Sequence, residues 1–238
     1  MTSLDLQRVQ AFVAREVEAF HRARLNVFDS LDLSKLAKRK NPYLARAKNV
    51  TRAQDLVEHW LNAYLSSSEE EHFGRFMECL AVFIAGETCG VVPDAPQGVD
   101  LLFLREGVYH IVQIKSGPHW GNADQHKSLK QNFMQASAFY APKAHACTLG
   151  ICYGRQNLTT NGIYTKRVGK HFWGFISGDS ELYLNLIEPI GYQARHHNEA
   201  YQRERDARIN LLTAQVLATF CKSNGEIDWQ TLVMQACG

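Results

Sequence analysis

A carboxylate, an amide and an amine lie close together in one apolar stretch of the chain. Gly98-Val99-Asp100-Leu101-Leu102-Phe103 is followed by Tyr109-His110-Ile111-Val112-Gln113-Ile114-Lys115-Ser116. Both runs are short, apolar and contain β-branched residues, the composition of strands. Between them Gly107 permits the positive φ of a tight hairpin turn. With Glu106 and Gly107 as the two turn residues, Asp100 falls opposite Gln113. Side chains alternate along a strand, so Asp100, Gln113 and Lys115 share one face. Opposed Cβ atoms in such a ladder lie roughly 4.5–5.5 Å apart and diagonal ones roughly 7–8 Å. A carboxylate, an amide oxygen and an ammonium group thus converge on one patch. Charge on apolar strands is costly unless it is paired or bound to metal. A structural Asp100–Lys115 ion pair meets that requirement. So does a hard-cation site, with Asp100 and the Gln113 oxygen as ligands and Lys115 orienting water or offsetting negative charge.

The elements that must position this patch follow from periodicity. Residues 4–25 carry Leu6, Val9, Phe12, Val13, Val17 and Phe20 at helical spacing. Thr51-Arg52-Ala53-Gln54 reads as a capping box opening a helix with Val57, Trp60, Leu61, Tyr64 and Leu65 inward. Ser68-Glu69-Glu70-Glu71 reads as a second box opening a further helix, with Glu69–Glu71 complementing its dipole. On that helix Glu78 shares a strip with Gly74, Ala81 and Ala85, small residues that would let it approach the sheet. Glu78 is then either a solvated glutamate or a further metal or water ligand beside Asp100. Residues 123–140 read as a helix with Phe133, Ala136, Ser137 and Tyr140 inward. Ala146 to Tyr153 reads as a third strand, and 154–170 as a long loop. Phe172 to Ile176 is expected to be buried. Ser180 is expected to cap a short helix that ends at Pro189 and Gly191. Helices are expected at 194–222 and from Asp228 onward.

Several blocks resemble a known family. Asp100 followed by Gln113-Ile114-Lys115 is similar to the PD-(D/E)xK nuclease arrangement, with Gln where that pattern usually has an acid. Lys40-Asn41-Pro42-Tyr43-Leu44, Leu65-Ser66-Ser67-Ser68-Glu69-Glu70 with Phe73-Gly74, and Gln113 through Asn122 resemble type II restriction endonucleases of the PmeII-like branch. Cys152-Tyr153-Gly154 and Phe172 through Gly178 belong to the same series of blocks, and the likeness runs over roughly residues 40 to 235.

The resemblance implies a restriction-endonuclease-like α/β (α+β) fold: a central mixed sheet flanked by helices, with a helical N-terminal region. The expected organisation is one domain over 1–238, with a helical part at 1–65, a catalytic core at 66–190 and C-terminal helices at 191–238. It implies Mg²⁺-dependent, sequence-specific hydrolysis of double-stranded DNA leaving 5′-phosphates. Asp100, Gln113, Lys115 and Glu78 would be catalytic, and Asp100, Gln113 and Glu78 would hold the metal. Loss of the Lys115 charge should cost roughly 2–4 kcal/mol of barrier, by analogy with removing one charge-stabilising group. A homodimer on a near-palindromic site is implied, with a cognate DNA methyltransferase as genomic neighbour. The alternatives are a DNA-binding protein on the same fold that does not cut, and a structure-selective repair nuclease.

Composition is compatible with this reading without demanding it. The net charge is only +2, so local clusters must carry any case for DNA. Lys38, Arg39, Lys40, Arg46 and Lys48 lie in the densest basic run, which is either a solvated surface or a set of phosphate contacts. Asn41-Pro42-Tyr43 interrupts it as a turn or helix stop. Ser116, His119, Trp120 and Asn122 leave the hairpin directly and can reach substrate; His119 is either a general base or a neutral surface residue. Lys127 and Lys130 form the polar side of their helix. Arg155, Asn157, Lys166 and Arg167 lie in the long loop, which is either a base-reading element or plain surface. Six cysteines without a CxxC pair suggest reduced thiols in a cytoplasmic protein. No apolar run approaches a membrane span, so no membrane partner is expected.

Overall fold

The computed structural model describes residues 2–237 except 94 and 157. Six strands form one mixed sheet in the order β1-β2-β3-β4-β6-β5. β2 (Leu101–Arg105) and β3 (Val108–Lys115) are the antiparallel hairpin, and β1 (Gly90–Val91) lines the edge of β2. β4 (His145–Ile151) runs parallel to β3, and β6 (Thr165–Val168) parallel to β4. β5 (Thr159–Thr160) closes the far edge antiparallel to β6. The mixed sheet with flanking helices is the α+β, restriction-endonuclease-like architecture that the resemblance implied.

The hairpin has the anticipated register. Leu101 pairs with Val112 and Arg105 with Val108. Glu106 and Gly107 both take positive φ, 52° and 76°, the backbone of a type I′ turn whose twist matches that of the strands. Leu101, Phe103, Val112 and Ile114 face one buried cluster, while Leu102 and Ile111 face another. The first cluster is closed by α4 (Ala53–Thr88) and α6 (Lys170–Ser177), and the second by α5 (Ala123–Tyr140).

Two compact units are resolved by contact. One comprises Met1–Val17 and Phe73–Tyr192, and holds the sheet; the other comprises Glu18–His72 and Gln193–Gly238. The second has its own core, with Phe28, Trp60, Leu61, Tyr201 and Val216 buried together. It contains α2 (Leu33–Arg39), α3 (Pro42–Ala47), α9 (Ala194–Phe220) and α10 (Trp229–Cys237), and the unit boundaries fall within α1 (Leu6–Asp29) and α4.

Local expectations fail where a polar signal had a second use. No helix starts at Ser68; α4 runs on for 36 residues. No Gly or Pro occurs between 53 and 73 to interrupt it, and the Ser67 hydroxyl bonds back to the Ala63 carbonyl at 3.1 Å, as serine does inside helices. Glu69 therefore lies mid-helix and pairs with Arg24 at 2.8 Å; it does not complement a helix end. Pro42 starts a helix after Asn41 caps it, its side chain accepting from the Leu44 N–H at 3.2 Å. Ser180 does not cap: α7 (Leu182–Asn185) begins after Glu181, whose N–H is taken by Asp179, and Pro189 lies inside α8 (Ile187–Gly191). The expected loop at 154–170 holds the β5–β6 hairpin, turned by Asn161 and Gly162 at φ 83°. Asn161 Oδ1 accepts from the Ile163 and Tyr164 N–H groups.

Gly150 sits near the C-terminal end of β4 where the Phe172 ring covers it, and a Cβ there would overlap that ring. Overpacking of this kind typically costs about 1–3 kcal/mol. Gly150→Ala is therefore expected to lower the free energy of unfolding by that amount, read by circular dichroism as a lower urea midpoint at unchanged m-value.

Candidate functional site

The site lies where β3 leaves the sheet. Its anchor is Asp100, which precedes β2. The Asp100 N–H donates to the Val112 carbonyl at 3.1 Å, and Asp100 Oδ2 accepts the Ile114 N–H at 2.6 Å. The carboxylate thus occupies the next rung of the ladder and is pinned at the end of the strand. Burial pushes its pKa above the ordinary carboxylate range; the Ile114 N–H and Lys115 work against that rise.

Glu78 comes from α4. Ala81 and Ala85 are fully buried on the same helix, and a Cβ at Gly74 would lie 3.5 Å from the Ser116 Oγ. The small residues bring the helix close to the β3 exit. Burial raises the Glu78 pKa, and Asp100 raises it further, while Lys115 and Arg75 lower it. Asp100 and Lys115 are therefore both close enough to act on the Glu78 carboxyl.

Gln113 is buried, with 7% exposed, on the same sheet face as Ile111. Its amide nitrogen donates to the Gly98 carbonyl, which ties the loop before Asp100 to β3. Lys115 Nζ lies 5.6 Å from the Trp120 ring centroid, and Trp120 in turn packs on His126 at 4.4 Å. The exit of β3 is held to that of β4: the Cys152 N–H donates to the Lys115 carbonyl at 2.9 Å, and the Tyr153 N–H to the Ser116 carbonyl at 3.2 Å. Trp173 Nε1 fixes the Cys152 carbonyl at 2.7 Å.

The other expected residues divide. Ser116 is half-buried and His119 exposed in the loop after Lys115. Asn122 caps α5, with its side chain on the Gln125 N–H at 3.0 Å. Lys127 and Lys130 are exposed on α5, and Arg155 is exposed beyond β4. Lys166 is a ladder partner of Leu149 and Thr159. Arg167 turns away from this site: its guanidinium lies 4.3 Å from the Phe175 ring centroid, in the neighbourhood of Arg105. Asn157 lies outside the described residues. Lys38, Arg39, Lys40, Arg46 and Lys48 belong to the second unit, where Lys40 faces Tyr64 and Arg46 faces Trp229.

The donor chemistry suits a hard divalent cation. Among the described residues no group of three or more His, Cys, Asp or Glu is disposed to hold a metal, but Mg²⁺ keeps several waters and takes only one or two carboxylates. Glu78 and Asp100 are such a pair: burial disfavours the charge of both, and the Asp100 carboxylate disfavours that of Glu78 further. All six cysteines are free thiols. No described helix is long and apolar enough to cross a membrane.

The raised carboxyls set a pH dependence. A group whose folded pKa lies above its unfolded value favours folding at low pH, and that contribution is lost as pH rises through the folded pKa. At neutral pH without divalent ions, Glu78 and Asp100 therefore oppose folding. Asp100→Asn keeps an oxygen for the Ile114 N–H and removes the repulsion. Its Tm is expected to exceed that of the unsubstituted protein at pH 7; the difference should shrink as pH falls through the raised folded-state pKa values and be gone by about pH 4, the ordinary carboxylate range. Differential scanning calorimetry across pH checks this.

No curated protein matches this chain. A family model described as type II restriction endonuclease EcoO109I matches residues 7–198. The match starts well before the blocks recognised in the sequence and includes most of α1, while it stops near the start of α9. With most of its length covered, sheet and candidate carboxylates included, the chain belongs to the type II restriction endonuclease EcoO109I family.

Proposed function

We propose that the protein is a Mg²⁺-dependent restriction endonuclease of the PD-(D/E)xK superfamily, PmeII-like branch. In this reading it hydrolyses double-stranded DNA at a specific sequence, leaves 5′-phosphates and acts as a homodimer. The observation that carries it is the pair Glu78 and Asp100, both pushed toward protonation, beside Lys115 at one end of the sheet. Two repelling carboxylates in a desolvated place are unfavourable alone and well matched to a dication.

Asp100 and Glu78 would hold the ion. Bound there, Mg²⁺ would supply Lewis-acid stabilisation of the phosphate and a more acidic water. Asp100 is held at its own angle by the Ile114 N–H, so its geometry is set before substrate arrives. Lys115 directs its ammonium toward the same patch, where it can neutralise charge that develops on the phosphate. Trp120 lies against that ammonium and limits where it can go. Gln113 has the role of fixing the Gly98 loop through its amide nitrogen, with its oxygen as a neutral ligand at most. A recognition site with two-fold symmetry and a neighbouring methyltransferase gene complete the reading.

Digestion of a sequenced plasmid with Mg²⁺ is expected to give discrete fragments with ends at one sequence, and Asp100→Ala none. Lys115→Ala should lower kcat by about 10²–10³-fold, as loss of one charge-stabilising donor does. Duplex retention without any cutting would point to a DNA-binding protein on this fold, and branch-dependent ends to a repair nuclease. A second check needs no substrate. Mg²⁺ should raise Tm at pH 7, by about 2–4 °C for each kcal/mol of binding free energy. It should do so much less for Glu78→Gln.

A further inference from the structure

A cavity of about 1320 Å³ opens beside the candidate carboxylates, at the C-terminal ends of β4 and β6. It is larger than the roughly 300–1,000 Å³ of an ordinary small-molecule pocket. Its wall is continuous with the site. Met77, next to Glu78 on α4, lines it, as does Cys152, whose N–H is bonded to the Lys115 carbonyl. The cavity is also built, not a gap between loose loops. The Gly169 N–H donates to the Ile151 carbonyl at 2.9 Å, and a Cβ on Gly169 would come within 2.7 Å of the Gly154 carbonyl oxygen.

Its charge is one-sided. Arg155, Lys170 and His171 line it, and no Asp or Glu occurs among the described lining residues. Arg155 and Lys170 are exposed, and Tyr153 stands at the mouth with 59% of its surface exposed. A basic groove running away from two carboxylates has the charge pattern of a path for a polyanion.

Resting on the nuclease reading above, we propose that this groove holds the sugar–phosphate backbone of one DNA strand adjoining the scissile phosphate. Arg155 and Lys170 each contact a phosphate, and the Tyr153 ring lies against the neighbouring sugar or base. The exposed Ile187 and Tyr183 also border the groove, so a second protein chain is the competing occupant. The charged part of the lining, Arg155 and Lys170 with no acidic residue among the described ones, favours DNA.

The test is duplex binding by the full chain carrying Asp100→Ala, which prevents cutting, measured by fluorescence anisotropy over a range of KCl. Arg155→Ala, Lys170→Ala and both together are added to that background. Each lost phosphate contact should reduce the slope of log K against log salt by about 0.9, so the double variant should lose about 1.8. Arg155→Lys and Lys170→Arg should restore most of it. Unchanged Tm values show that the fold persists. An unchanged slope in a folded double variant overturns the proposal. An unchanged slope with a shift to a smaller species in sedimentation assigns the groove to a protein partner instead, and also overturns it. If the unsubstituted protein neither binds nor cuts duplex DNA, the nuclease reading itself fails, and this proposal fails with it.

Discussion

One hydrogen bond fixes the geometry on which the candidate site depends. Asp100 Oδ2 takes the Ile114 N–H at 2.6 Å, where a continuing β2 would have supplied a backbone carbonyl. The carboxylate thereby becomes part of the sheet edge. It cannot swing toward solvent without leaving a strand N–H unpaired, and such a loss costs about 1–3 kcal/mol when the group is buried. The same bond holds Asp100 in a place where burial disfavours its charge. Glu78 sits near enough to add repulsion, and Lys115 near enough to relieve part of it. Two carboxylates whose charge burial disfavours, with one ammonium nearby, are the physical ground for the proposed divalent ion.

The rest of the first unit serves to keep this end of the sheet in register. The type I′ turn at Glu106 and Gly107 sets which residues oppose each other along the hairpin. Parallel pairing of β4 with β3 continues past the strands through Cys152 and Tyr153. Phe172 over Gly150 lets α6 lie close to β4, and Trp173 secures the Cys152 carbonyl. The small residues of α4 do the same on the helix side, so Glu78 reaches the β3 exit without a long flexible side chain having to search for it.

The hairpin and its register were legible because Gly107 marks the turn and two β-branched runs flank it; from there Asp100, Gln113 and Lys115 follow by alternation. Glu78 was legible from the Gly74, Ala81 and Ala85 strip. What could not be read depended on distant partners. Ser68-Glu69-Glu70-Glu71 is a plausible cap in isolation, but Glu69 is engaged by Arg24 from 45 residues away, and the helix passes through. The orientation of Gln113 is set by the Gly98 carbonyl, which spacing alone does not reveal. The β5–β6 hairpin did carry a signal, Asn161-Gly162 between threonines, but strands of two and four residues have almost no apolar period to support it. Lys170 and His171 were hidden for another reason. Nothing in the chain order says that the start of α6 lines a groove together with the residues after β4.

In the proposed mechanism Glu78 and Asp100 together hold a divalent ion beside Lys115. Anomalous diffraction from crystals soaked in Mn²⁺ locates such an ion directly. A single strong peak, or a close pair, is expected within coordination distance of both Glu78 and Asp100 carboxylates, and is expected to be lost in Asp100→Asn. A peak elsewhere, or none at these carboxylates under conditions where Mn²⁺ supports DNA cleavage, would contradict it.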